Sequence, residues 1–116
     1  MKLDNAILAH HVWKNKLRAA IANKTPLEVD SVGRDDCCEI GQWLYGEGGA
    51  LHAQKPEFVT LLQKHKVFHL EAGKIAMHIN AANYAQASRM IDSGTPFGSA
   101  SLAVAQAVNA LKQVCN

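Results

Sequence analysis

Four residues with side chains that bind soft or borderline metal ions fall on positions that the hydrophobic periodicity of this chain turns inward: His10, Cys38, His65 and His69. Neutral imidazole and thiolate are the donors that Zn²⁺ prefers, and four of them complete a tetrahedron. His65 and His69 are four residues apart, so in a helix both rings can reach one ion. That spacing alone is common and is weak evidence for a metal site. The presence of His10 and Cys38 strengthens the prediction. The four residues together predict a closed zinc site.

The residues around this pair do not favour a catalytic metal. A metalloprotease-type His-Glu-x-x-His carries a general base between its ligands, whereas Lys66, Val67 and Phe68 separate these two histidines. Four protein ligands also leave no open coordination position for water or substrate. A di-iron centre would need several inward carboxylates, which the ligand-bearing faces lack. We therefore do not expect an enzyme, and a zinc hydrolase with an open site formed without Cys38 is the less favoured alternative.

The composition is that of a soluble globular protein, and 116 residues are enough for one domain with its own core, which we expect to span residues 1–116. The formal net charge is +2, and the cations are scattered among acidic residues. This pattern disfavours nucleic acid and anionic membrane as partners. No secretory or transmembrane segment is apparent, and three cysteines imply no disulfide framework. We expect a cytoplasmic protein.

The elements that must position the ligands are helices. Apolar residues recur at helical spacing from Leu3 to about Ala22, with His10 on that stripe and His11 turned away from it. Residues 23–36 read as a connecting loop. Asp35 or Asp36 is then expected to cap a short helix that carries Cys38 in its first turn, where the helix dipole favours a thiolate.

The second half of the chain continues the helical pattern. The short helix should end near Tyr45, where Gly46, Gly48 and Gly49 supply left-handed C-cap residues. Pro56 opens a long helix that reaches Ile79 and holds both His65 and His69. A short helix over 84–91 and an Ala-rich helix to about residue 114 follow. We expect an all-α fold, an antiparallel four-helix bundle with short additional helices in the connections.

Three sequence motifs together are similar to those of the chemoreceptor zinc-binding (CZB) domain family. They are the HxxW element from His10 to Trp13, the CxxGxWLYGxG run from Cys38 to Gly48, and the His65/His69 pair. The resemblance implies a bacterial helical domain in which zinc is held by three histidines and one cysteine. The matching positions here are His10, Cys38, His65 and His69.

The resemblance also implies a role in signal transduction. Domains of this family are usually attached to chemoreceptors or diguanylate cyclases, act in chemotaxis and related pathways, respond to zinc or to oxidants that attack the cysteine, and are often homodimers. This chain ends at Asn116 without a signalling hairpin or a cyclase domain. It is therefore expected to be a free-standing regulator that docks on such a partner, or a piece of a longer protein. A purely structural zinc module for dimerisation or docking is the alternative function.

Overall fold

The computed structural model describes residues 3–115, except the side chains at positions 4 and 8–10. Every element in this part of the chain is helical. The expected all-α class is confirmed. A 3-10 turn at Leu3–Asn5 leads into seven α-helices, which are α1 (Ala6–Asn23), α2 (Val29–Gly33), α3 (Glu39–Leu44), α4 (Glu47–His52), α5 (Pro56–Asn80), α6 (Tyr84–Ile91) and α7 (Pro96–Val114).

The three long helices begin and end where local chemistry dictates. Pro56 and Pro96 occupy the first turns of α5 and α7, where a missing backbone N–H costs nothing. The Thr95 hydroxyl accepts a hydrogen bond from the Gly98 amide at 3.1 Å and so caps α7. Lys24 ends α1 in a left-handed conformation, with φ of 54°.

Helix α5 is the centre of the fold, because α1, α2, α6 and α7 all pack against it. Its contact with α7 is the most extensive and is built from apolar side chains, with the Phe68 and Phe97 rings 4.9 Å apart. Small residues on α7 permit this close packing, as its Ala-rich sequence predicted. The fully buried aliphatic residues of α5 and α7 include Ile75, Val104, Val108 and Leu111.

Three details of the connections differ from the sequence predictions. The region 23–36, predicted as a loop, contains the five-residue helix α2, which buries Val32 against α5. The N-cap of α3 is Cys38 itself rather than Asp35 or Asp36. The predicted left-handed C-cap glycines are also wrong: α3 is followed at once by α4, and Gly94 is the only glycine with positive φ among the described residues.

Helix α2 lies very close to α5 at a contact between two glycines. A Cβ atom built on Gly73 of α5 would be 3.1 Å from the Cα of Gly33 in α2, tighter than ordinary van der Waals contact. The absence of a side chain at Gly73 therefore lets the two backbones approach each other. This contact holds α2 beside the part of α5 that carries the two histidines.

Candidate metal centre

The Cys38 thiol is positioned by its place at the N-terminus of α3. Its Sγ accepts a hydrogen bond from the Gly41 amide at 3.3 Å, in the manner of an N-cap side chain. Gly41 must be glycine here, because an added Cβ would lie 2.0 Å from the carbonyl oxygen of Asp35. The chain before Cys38 thus folds tightly over the first turn of α3, and this turn fixes where the sulfur lies.

His65 and His69 come from consecutive turns of α5 and are both fully buried, as the sequence predicted for inward positions. Their ring centroids are 4.5 Å apart, and the two Nε2 atoms are 3.1 Å apart. The four-residue spacing produces this arrangement because side chains at i and i+4 project from the same helix face.

The thiol and the two imidazoles form one cluster. Cys38 Sγ lies 3.2 Å from His65 Nε2 and 3.4 Å from His69 Nε2, so the three atoms make a nearly equilateral triangle. In tetrahedral zinc sites, bond lengths of about 2.0 Å to nitrogen and 2.3 Å to sulfur separate the donors by roughly 3.3 to 3.6 Å. The triangle is within a few tenths of an ångström of that spacing, and the donor types suit zinc.

A backbone carbonyl orients one of these rings. His69 Nδ1 lies 2.9 Å from the carbonyl oxygen of Val32 in α2. Since a carbonyl only accepts, Nδ1 carries the proton, and the Nε2 lone pair of the neutral ring points into the cluster. This is the hydrogen bond that metal-ligating histidines usually make through their second nitrogen. The sequence did not predict it, because α2 was not predicted and every residue has a carbonyl.

Burial controls the protonation of the cluster. It lowers the pKa of His65 to about 4, with the neighbouring His69 as a smaller cause, and it also lowers the pKa of His69. Both rings are therefore neutral at pH 7, as coordination requires. Burial raises the pKa of the Cys38 thiol despite the opposing Gly41 amide. The backbone amides at the start of α3 lower this pKa, as predicted for a helix terminus, but desolvation outweighs them in the metal-free protein.

Aromatic side chains surround the cluster. Trp13 of α1 meets the His69 ring edge-on, with centroids 5.2 Å apart, and Phe68 does the same from the other side at 5.4 Å. Trp43 of α3 is buried and packs against Phe58 of α5. Gly48 makes room for the Trp43 ring, because a Cβ there would lie 2.7 Å from it. The prediction that both tryptophans are core residues holds fully for Trp43, while Trp13 is half-buried.

The structure does not describe the side chain of His10, the fourth predicted ligand. Its backbone belongs to α1, but its side chain lies outside the described residues. His11 is exposed, as predicted. Cys37 is also exposed, and its sulfur lies 3.5 Å from the Asp36 carboxylate rather than in the cluster.

The fold and the cluster define a helical domain whose half-buried thiol and buried imidazole groups are arranged as in metal-binding proteins. The model of the chemoreceptor zinc-binding domain family matches residues 10–76, more than half of the chain, and the protein belongs to this family. Searches of curated proteins and of solved structures gave no significant match. The matched range contains all four predicted ligands and ends within α5, so that α6 and α7 lie beyond it. In the described part of the chain, no helix combines the length and apolarity needed to cross a membrane.

Proposed function

We propose that this protein is a cytoplasmic regulatory domain that binds one zinc ion through His10, Cys38, His65 and His69. The observation that carries the proposal is the triangle of three donor atoms with edges of 3.1 to 3.4 Å, made by two neutral histidines and a thiol. Position 10 precedes Trp13 by one helical turn in α1, and Trp13 contacts His69. This placement supports His10 as the fourth ligand.

Zinc would supply a positive charge that holds the Cys38 sulfur as a thiolate and joins three segments of the chain. Cys38 ties α3 to the site, His65 and His69 tie α5, and His10 ties α1. The Val32 carbonyl adds α2, because its hydrogen bond to His69 depends on the orientation of that ring. The architecture we infer is the expected antiparallel four-helix bundle, with α1, α5, α6 and α7 as its helices.

The signal in this scheme is a change in helix packing when the ion is absent. Without zinc, the thiol is protonated, and α2 and α3 lose the ion that links them to α5. Oxidation of Cys38 acts in the same direction, because an oxidised sulfur no longer offers a thiolate. We propose that the change is transmitted to a chemoreceptor-type or diguanylate-cyclase-type partner and that the domain works as a homodimer.

The first test is the metal content of protein purified under reducing conditions, without added metal or a metal-affinity column. Elemental mass spectrometry should find about one zinc ion per chain. Protein that contains no zinc and takes up none on addition would contradict the proposal. The variants His65→Ala and His10→Ala should each lower the zinc content, whereas His11→Ala, a matched change of the exposed neighbour, should not.

A structural zinc module is the rival function, and it predicts the same metal content. The two differ in whether the ion exchanges. A regulatory site should release zinc at a free-zinc concentration near that of the cytoplasm and should change its helix packing or oligomeric state on release. A structural site should hold the ion throughout, and a competition titration with chelators of graded affinity separates these outcomes. We do not propose a hydrolase, and zinc-dependent turnover would be the evidence for one.

A further inference from the structure

A surface pocket adjoins the cluster at Cys38. His65 and His69 are fully buried, whereas Cys38 is half-buried and forms part of the wall of a surface pocket. The pocket has a volume of about 470 Å³, which is within the size range of small-molecule sites. Of the three residues that form the triangle, only Cys38 lines this pocket.

The walls of the pocket come from three elements of the fold. Helix α1 supplies Val12, Trp13 and Lys16, α2 supplies Ser31, and the beginning of α3 with the residues before it supplies Cys37, Cys38, Glu39 and Ile40. The apolar part of the wall comes from both α1 and α3. A molecule in this pocket would therefore lie between the helix that carries His10 and the helix that carries Cys38.

The pocket has charged groups of both signs. The Lys16 ammonium lies 5.0 Å from the centroid of the Trp13 ring, and the Glu39 side chain is exposed on the α3 side. A ligand that fits this wall carries an anionic group for Lys16 and a cationic group for Glu39. A ligand that also engages the metal centre needs a soft donor directed at the position of the Cys38 sulfur.

We propose that this pocket is the route by which ligands reach Cys38, and that it binds a small zwitterionic thiol, a molecule with a carboxylate, an ammonium group and a sulfhydryl. The exchange part of this inference rests on the proposed zinc site. In the zinc-loaded protein, the incoming thiol would replace Cys38 as a ligand: its sulfur would bind zinc, its proton would pass to Cys38 Sγ, and the bond between Cys38 and zinc would break. No oxidant or reductant is needed. The pocket thus provides a path for zinc exchange with low-molecular-weight thiols.

The first experiment measures zinc transfer from the loaded protein to a chromophoric chelator, with L-cysteine or 2-mercaptoethanol added at equal thiolate concentration. L-cysteine should accelerate transfer about 3-fold more than 2-mercaptoethanol, a ratio typical of one partly exposed charge pair. Lys16→Glu should remove that difference. Lys14→Glu, the same charge change at an exposed α1 position outside the pocket wall, should retain it. An equal response of wild type to both thiols would overturn the assignment of the ligand.

The second experiment tests the route without zinc and so separates failure of this inference from failure of the proposed function. In metal-free protein with Cys37→Ser and Cys115→Ser, the rate of Cys38 alkylation by iodoacetamide is measured by mass spectrometry. Val12→Trp should slow alkylation about 10-fold by filling the pocket. Val67→Trp is the matched control, since Val12 and Val67 are both 47% exposed. Equal rates in the two tryptophan variants, with helix content unchanged, would overturn the route even if zinc binding is established.

Discussion

The segment of residues 29–44, which includes α2 and α3, and the α5/α7 interface are held in place by different kinds of contact. The interface is apolar: Ile75 of α5 and Val104, Val108 and Leu111 of α7 are completely buried. The 29–44 segment combines apolar burial, at Val32, Ile40, Trp43 and Leu44, with single polar links. These links include the hydrogen bond from His69 to the Val32 carbonyl and the cap that Cys38 makes with Gly41.

This difference indicates that one part of the molecule provides most of the stability and that another part responds to zinc. Apolar burial is non-directional and does not depend on a bound ion, so the α5/α7 interface should persist without zinc. The two helices of the 29–44 segment have only five and six residues, so this segment should open locally at a lower free-energy cost than the long helices α5 and α7. In the proposed function, the metal therefore changes the order of the 29–44 segment while the remainder of the fold is retained.

The largest effect is expected for Cys38→Ala. Loss of the only sulfur donor in the triangle should lower zinc affinity by roughly 100-fold or more. Hydrogen exchange should then become faster in residues 29–44 and stay slow across α5 and α7. Chelator competition measures the affinity, and Cys37→Ala is the control, since that neighbouring thiol is exposed and should leave binding unchanged. If Cys38→Ala retained the zinc affinity of the wild type, the proposal that zinc orders the 29–44 segment and not the α5/α7 interface would be contradicted.

Leu111→Ala tests the contribution of the α5/α7 interface to stability. Leu111 is fully buried in α7, and its truncation should lower the free energy of unfolding by about 3 kcal/mol through lost burial and a residual cavity. The zinc content of the folded protein should not change. Urea denaturation and elemental analysis of the same sample give the two values. A loss of zinc with little loss of stability would mean that the two regions are not separate.

Gly41→Ala is expected to have a smaller effect that is confined to the site. The new Cβ would lie 2.0 Å from the Asp35 carbonyl, so the turn before Cys38 must shift and carry the sulfur with it. We expect zinc affinity to fall about 10-fold, the lower end of what disturbed ligand orientation costs. Gly33→Ala provides the comparison, because its Cβ meets nothing closer than 3.8 Å. Competition titrations should therefore distinguish the two glycines, and equal affinities would contradict the clash.

The smallest effect is expected for the pH dependence of the stability of the metal-free protein. Burial lowers the pKa values of His65 and His69 in the folded protein, so the unfolded chain takes up protons more readily below its own value of about 6.5. The metal-free protein should keep its full stability above pH 7 and lose stability progressively as the pH falls from about 6.5 towards 4. Urea midpoints across this range measure the slope. His65→Gln should flatten it, and an unchanged slope in this variant would contradict the prediction.

The long helices and the inward placement of the histidines could be predicted because they rest on repeated spacing over many residues. His65 and His69 share a face with Phe68 and Ala72, and this periodicity marks the buried side of α5. The shorter features could not be predicted in this way. Helix α2 has only five residues, and Val29 and Val32 are too few to establish a period.

The choice of the α3 cap depended on geometry that sequence does not specify. Aspartate is the preferred N-cap residue, and Asp35 and Asp36 both precede α3, yet the chain begins the helix after Cys38. The tight turn at Gly41 and the contact of the sulfur with the two histidines decide between these positions. Burial also outweighs the expected effect of the helix terminus on the pKa of the thiol. Local preference was overridden by tertiary contact in both cases.

The glycine contact between α2 and α5 sets the distance between the two helices at this point. Side chains normally separate packed helices, and the size of those side chains determines the spacing. A Cβ atom on Gly73 would lie 3.1 Å from the Cα of Gly33, so any side chain at position 73 would press on the backbone of α2. Because the Val32 carbonyl in α2 accepts the hydrogen bond from His69, the missing side chain at position 73 also helps to set how closely that carbonyl approaches the ring.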